Sequence, residues 1–347
     1  MLCDGLRAVG HDVTLFAAGG SDDMDLFPIC DAPYEAVLPW TTWRGTSELT
    51  EYQTEAFATG WYAVRSGDFD VVHNNTLFPD IIDWAARDKI PCVTSHHVPP
   101  FETIRTVTQR YIAVPWLRFT VPSAAQHASW QASLHDRLHV VHNGINTASW
   151  KPGRQRSGYF VWSGRITPNK GTHFAVHAAR LAGASLRIFG PVEDADYFTS
   201  QIEPYLSDDV TYCGHRSAQE LATEVGSALG VLATPMWDEP FGLVAAEALA
   251  CGTPVCAFDN GALREVVGSC GLVVPKGDAQ ALAIAMSNVW RINRDDCRSR
   301  AERLFSSEAM IEGYQRLYEE AILVVSQPDQ PAIASASNAA RTRALLA

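Results

Sequence analysis

Trp237-Asp238-Glu239-Pro240-Phe241-Gly242-Leu243-Val244-Ala245-Ala246-Glu247-Ala248-Leu249-Ala250-Cys251-Gly252-Thr253-Pro254-Val255 is the stretch that decides the fold. The run before it, Leu229 to Thr234, is short, apolar and followed by Pro235 and acidic loop residues, the pattern of a buried parallel strand. From about Gly242 the spacing becomes helical. Gly252 suits the position just past a helix end, and Pro254 prevents the helix from continuing. Pro254 to Phe258 reads as the next strand. The segment is therefore strand, loop, helix, strand, with Glu239 in the loop and Glu247 inside the helix.

Ala245, Ala246, Ala248, Leu249 and Ala250 make this helix apolar nearly all round, as expected of one packed on a sheet. A carboxylate among them must find a partner, because a buried charge is paired or hydrogen-bonded. The helix start, with N–H groups at Phe241 to Val244 lacking intrahelical acceptors, is a ready anion site. A phosphorylated ligand at the helix start satisfies both facts, with Glu247 accepting hydrogen bonds from a vicinal diol such as a ribose and Glu239 holding hydroxyls at the other end. The plain alternative pairs Glu247 with a structural arginine and leaves Glu239 as a loop charge.

Glu-Pro-Phe-Gly-Leu, a second Glu eight positions after the first, and then Ala-Leu-Ala-Cys-Gly-Thr-Pro-Val resembles the nucleotide-sugar signature of glycosyltransferase family 4, the retaining enzymes of GT-B fold. The resemblance implies an α/β fold of two tandem Rossmann-like domains with parallel sheets facing across a cleft.

The composition agrees with a globular chain of two ordinary domains: 347 residues, 47% hydrophobic and 19% charged. No apolar run approaches the roughly twenty residues of a membrane span, and the first residues lack the apolar core of a signal peptide. The eight cysteines lie mostly inside apolar runs with no Cys-x-x-Cys pair, which points to reduced packing residues in a cytoplasmic protein. Net charge is −12 and both halves are acidic, which excludes the basic balance of a nucleic-acid binder.

Outward from the decisive stretch, the pattern predicts strands at 159–163, 185–189, 210–212, 230–233, 254–257 and 271–274 with helices between them. A last helix runs from Ser307 to about Val325, with Met310, Tyr314, Leu317, Tyr318 and Ile322 as its apolar face; the resemblance implies that it crosses back onto the first domain. In the first half, strands fall at 12–17, 70–73, 91–95, 119–122 and 138–141, with helices at 1–9, 48–65, 78–87 and 101–113. The expected boundaries are an acceptor-side domain over 1–145, a nucleotide-sugar domain over 146–306, the crossing helix over 307–326 and a disordered tail over 327–347, its Ser, Ala, Asn and Pro content being low in packing residues.

The start is abrupt. A doubly wound half begins with a strand and a strand-to-helix loop, whereas Met1 to Val9 reads as the back half of a helix leading to Gly10-His11-Asp12-Val13. The family's first, central strand and Gly-rich loop are therefore expected upstream, in about 20 to 40 further residues, unless the leading unit has been lost.

Gly164-Arg165-Ile166-Thr167-Pro168-Asn169-Lys170-Gly171 follows the first strand of the second domain, and a strand-end arginine with a lysine beyond a tight turn can converge on one anion. Read alone, these are as easily a solvated arginine and a first-turn lysine. With the downstream glutamates they resemble the family's phosphate-binding pair, which implies roles for Arg165 and Lys170 with Glu239 and His96. Donor contacts are implied at Gly164, Arg216, Phe241, Gly242, Leu243, Val244 and Glu247. His96, in Thr94-Ser95-His96-His97, matches a histidine that touches the donor sugar, and His73-Asn74-Asn75 is a candidate to line an acceptor cleft by position. Asp68-Phe69-Asp70 and Asp194-Ala195-Asp196 are declined as metal motifs, since the first enters a strand and the second opens a helix. His139 and His142, three apart on a strand, face opposite ways.

The resemblance implies a metal-independent transferase that moves a sugar from a UDP- or GDP-sugar to a carbohydrate, lipid-linked or small-molecule hydroxyl acceptor, without a resident cofactor and with at most weak peripheral membrane contact. The alternative is a nucleotide-sugar-binding protein without transferase activity. A GT-B epimerase or phosphorylase would need an acid pair or a pyridoxal lysine that the sequence does not offer.

Overall fold

A computed structural model describes residues 1–21, 23–130, 137–153, 157–326 and 343–346. The chain forms two compact units. One comprises Met1–Val121, His127–Val141 and Ile311–Ala347; the other comprises Pro122–Gln126 and His142–Met310.

The first unit holds β1 (Asp12–Ala18), β2 (Leu26–Cys30), β3 (Val71–Asn74), β4 (Cys92–Ser95), β5 (Leu117–Val121) and β6 (Leu138–Val140). The second holds β7 (Tyr159–Ser163), β8 (Ser185–Phe189), β9 (Val210–Tyr212), β10 (Gly230–Ala233), β11 (Val255–Phe258) and β12 (Gly271–Val274). A last strand, β13 (Arg343–Leu346), returns to the first unit.

In the second unit the spatial order is β12-β11-β10-β7-β8-β9, all parallel, the doubly wound arrangement expected of alternating strands and helices. Its central strands β7, β10 and β11 are buried on both faces, which is why they read as apolar runs without alternation. One face is covered by the alanine-rich helix Leu243–Ala250, whose small side chains at Ala245, Ala246, Ala248 and Ala250 are fully buried.

In the first unit the order is β2-β1-β13-β3-β4-β5-β6, again parallel. Here the structure departs from the sequence expectation in two places. The sheet has no gap where the family's first strand is expected, because Arg343–Leu346 lies between β1 and β3, with Asp12 opposite Arg343 and Leu346 opposite His73. The expected disordered tail thus contributes a strand; the rest of 327–347 lies outside the described residues. Four residues, Arg-Ala-Leu-Leu, are too short and irregular for periodicity to reveal them. β2 is also absent from the sequence prediction, since Pro28 within it argues against a strand. It is an edge strand, where a missing N–H is tolerated.

The helix Ser307–Ser326 begins in the second unit, and from Ile311 it belongs to the first. Of the apolar face that the spacing predicts, Met310, Tyr314, Leu317 and Tyr318 are buried and Ile322 is partly buried, with Ala321 buried beside them. Its two tyrosines do more than fill space. The Tyr318 hydroxyl lies 2.5 Å from His73 Nδ1, and the Tyr314 hydroxyl 3.0 Å from Ser95 Oγ, which also meets His73 Nε2 at 2.9 Å. Burial pushes the His73 imidazole down to about 3, so this network is held by a neutral ring. Among the described residues no helix is long and apolar enough to cross a membrane, and all eight cysteines are free thiols.

Candidate donor site at the helix 243–250

Two loops at the carboxyl ends of β7 and β10 build the site, the position where open parallel sheets bind ligands. After β7 the chain approaches the end of β8 closely: Gly164 N–H donates to the Phe189 carbonyl at 3.0 Å, and a Cβ at Gly190 would run into the Gly164 carbonyl. The single turn Pro168–Lys170 then ends at Gly171 in the left-handed region (φ 65°) and leads into the helix Thr172–Ala182. After β10, the Thr234 hydroxyl accepts from Trp162 Nε1 at 3.0 Å and donates to the Gly171 carbonyl at 2.9 Å; Met236 N–H donates to the Asn169 carbonyl at 2.8 Å. The two loops are thus fastened to each other by backbone and buried side-chain bonds.

These bonds bring Lys170 and Glu239 together. Lys170 Nζ lies 2.9 Å from Glu239 Oε2, with both side chains mostly buried, at 21% and 15% exposure. Trp237 completes the cluster, since its Nε1 donates to the same oxygen at 2.9 Å and its ring sits 4.8 Å from the lysine ammonium. Asn260 Nδ2 secures the loop by donating to the Pro235 and Trp237 carbonyls. Glu239 is further fixed by Gly261, at φ 58°, whose bare Cα lies against the Glu239 backbone. Gly261→Ala would drive a methyl group into that backbone and impose left-handed strain. A loss of about 1–3 kcal/mol is expected, with the Lys170–Glu239 pair displaced; urea unfolding of the variant checks it.

Glu247 is placed as the sequence suggests, half-buried on the helix Leu243–Ala250. Burial raises its carboxyl to about 7. Among the described residues its side chain has neither a hydrogen bond nor an ion pair within the protein, so the structural-arginine alternative does not hold. The helix opens at Gly242, in the left-handed region at φ 91°, and the first N–H groups after it have no intrahelical acceptor.

The remaining expected residues divide. Arg165 is exposed at 58% and pairs with Glu193 at 3.2 Å, not with Glu239. Arg216 is exposed and donates to the His215 carbonyl. Gly164, Gly242, Leu243 and Val244 line the strand-end loop and the first turn of the helix, with Leu243 46% exposed. The Phe241 side chain is withdrawn into the core, edge-on to Phe305, so only its backbone can meet a ligand.

His96 requires a correction. It is 1% exposed, its ring stacks on Trp130 at 4.2 Å and on Phe119, and Nε2 meets the Thr108 hydroxyl. Burial lowers it to about 3, so in this arrangement it is a neutral core residue unavailable to a sugar. The surface histidine is its neighbour His97, whose Nε2 lies 3.1 Å from Asn75 Oδ1. The two histidines follow each other just past the end of β4, one ring turned into the core and the other to the surface, so a shift of one position exchanges core for surface. His73 and Asn74 are likewise buried, leaving Asn75 as the exposed member of that trio. Sequence reading missed Trp237, Asn260 and the pairing of Lys170 with Glu239, which are 69 positions apart.

Comparison with known proteins agrees with this architecture. Residues 1–149 match the model described as Glycosyltransferase Family 4, and residues 157–291 that described as Glycosyl transferases group 1. A D-inositol 3-phosphate glycosyltransferase of Mycobacterium marinum is 28% identical over 69% of this chain, which spans 60% of that relative's length. An MMP alpha-(1->4)-mannosyltransferase of Mycolicibacterium hassiacum is 29% identical, with 92% of this chain and 93% of the relative covered. Among solved structures, AviGT4, a glycosyltransferase involved in avilamycin A biosynthesis, superposes with a TM-score of 0.67 at 25% identity over 92% of this chain and 88% of its own. Sucrose-phosphate synthase from Thermosynechococcus elongatus gives a TM-score of 0.74 at 23% identity over 92% and 91%. With both family models matched in order along the chain, it belongs to glycosyltransferase family 4 and has the GT-B fold.

Proposed function

We propose that this protein is a metal-independent, retaining glycosyltransferase that moves a sugar from a UDP- or GDP-sugar to a hydroxyl acceptor. The observation that carries the reading is Glu247, a half-buried carboxylate raised to about 7 with no partner among the described residues, on the helix whose open N–H groups begin at Gly242. A ribose diol supplies the two donors that this carboxylate lacks, and a diphosphate at the helix start takes the free N–H groups. Lys170, held over the Trp237 ring, meets the charge that grows on the leaving diphosphate. Arg165 joins it by exchanging Glu193 for phosphate. Glu239 orients the donor sugar and, through its contact with Lys170, fixes the ammonium before the donor arrives. The leaving phosphate takes the acceptor's proton on the same face of the sugar.

A panel of UDP- and GDP-sugars tested for release of the nucleotide diphosphate in excess EDTA checks the reading. One donor class is expected to turn over, at a rate unchanged by the chelator. A strict requirement for Mg²⁺ or Mn²⁺ would overturn the roles given to the two cations, and donor binding without any turnover would reduce the protein to a binding module. The pH dependence follows from Glu247. A diol donates better to an ionised carboxylate, so nucleotide affinity should strengthen from pH 6 to pH 8 more in the wild type than in Glu247→Gln.

A further inference from the structure

A second concave site lies wholly within the first unit, on the outer face of two neighbouring helices. Ala58, Trp61, Tyr62 and Arg65 on the helix Ser47–Ser66, with Trp84 and Arg87 on the helix Asp80–Asp88, line a groove of about 260 Å³. The spacing explains it: Ala58, Trp61 or Tyr62, and Arg65 share one helix face, Trp84 and Arg87 share another, and the small Ala58 side chain leaves room in the groove.

The walls are aromatic and the rim is cationic. Trp61 and Trp84 lie with ring centroids 6.0 Å apart. Trp61 belongs to the core and uses its indole N–H on Asp88 Oδ2 at 2.8 Å, whereas Tyr62 is 73% exposed. Asp88 is saturated by its neighbours: Arg87 donates to it through Nε and Nη2 at 2.8 and 2.7 Å, and Arg65 Nε lies 3.5 Å away. Arg87 Nη1 and both Nη groups of Arg65 are left without a partner among the described residues. Two guanidinium groups against one carboxylate leave a local excess of one positive charge on a protein whose net charge is −12.

We propose that this groove is a binding site for a single hexose ring bearing one anionic group, a carboxylate or a phosphate, separate from the donor site. The C–H face of a pyranose packs on Trp84 and Tyr62, as amphipathic ligands do on aromatic walls. The anion takes the free guanidinium N–H groups of Arg65 and Arg87 and neutralises the excess charge. The volume lies just under the range of drug-sized pockets, which suits one ring and not an oligosaccharide.

Saturation-transfer NMR on the whole protein tests it with glucuronate, glucose 6-phosphate, glucose and inorganic phosphate as probes, with and without saturating UDP and GDP. The expected result is transfer to the ring C–H protons of glucuronate or glucose 6-phosphate, at least tenfold tighter binding of that anion than of glucose, and no displacement by either nucleotide. Tyr62→Ala and Arg65→Ala change exposed side chains, so their melting should match the wild type while binding weakens at least tenfold. Equal binding of glucose, displacement by UDP or GDP, or unchanged binding in both variants would overturn the proposal. So would sedimentation with phosphatidylglycerol vesicles that depends on Tyr62 while no soluble sugar binds, since that would make the patch a membrane contact.

Discussion

Lys170→Ala is expected to lower turnover by about a hundredfold or more, because the ammonium is asked to stabilise charge that develops only as the glycosidic bond breaks. The loss should fall on kcat, with donor affinity changing less, as for an interaction stronger in the transition state than in the ground state. The structure adds a consequence that position alone does not give. Lys170 is the ionic partner of Glu239, whose side chain is 15% exposed, so the substitution also strands a mostly buried carboxylate. Single-turnover kinetics read beside thermal melting separate the two effects. A variant that melts near the wild type but turns over a hundredfold more slowly is the expected result; undiminished turnover would remove Lys170 from the chemistry. Arg165→Ala is expected to lower turnover to a similar degree, with little change in melting, since its ion pair with Glu193 is exposed.

Leu345→Pro is the second large effect, and it acts on the fold. β13 lies between β1 and β3, with ladders on both sides, so its N–H groups are ladder donors and the position is central. Proline in mid-sheet removes a donor and is found only at edges or bulges. The ladder carbonyl left unpaired is expected to cost about 1–3 kcal/mol, which lowers the melting temperature of a unit of about 150–250 residues by roughly 2–12 °C. Removal of the chain after Ser326 should cost at least as much. Melting unchanged in both variants would show that Arg343–Leu346 does not stabilise the first unit.

What could be read from the sequence follows from the range of the interactions involved. The second unit was legible because its signals are local: apolar strands buried on both faces, Gly252 and Pro254 closing a helix, and an isolated Glu247 in an alanine-rich run. The apolar face of Ser307–Ser326 was legible from periodicity for the same reason. The position of β13 was not, since a strand pairing more than 270 residues from its neighbour leaves no mark in either segment. The same holds for Lys170 with Glu239, two loop residues united by hydrogen bonds from Thr234 and Met236 that no motif records. His96 against His97 was a one-residue ambiguity that burial by Trp130 and Phe119 resolves.

The central claim is that one helix start with its two glutamates divides the donor, Glu247 holding the ribose and Glu239 the sugar. Titration calorimetry of Glu247→Gln and Glu239→Gln with UDP and GDP tests it most directly. Loss of a charged hydrogen bond should weaken the preferred nucleotide by about 1.5–3 kcal/mol in Glu247→Gln. Glu239→Gln should leave nucleotide affinity nearly unaltered while turnover of the intact donor falls, because it unpins Lys170 without removing a group that touches the nucleotide. Equal loss of nucleotide affinity in the two variants, or none in Glu247→Gln, would contradict the division.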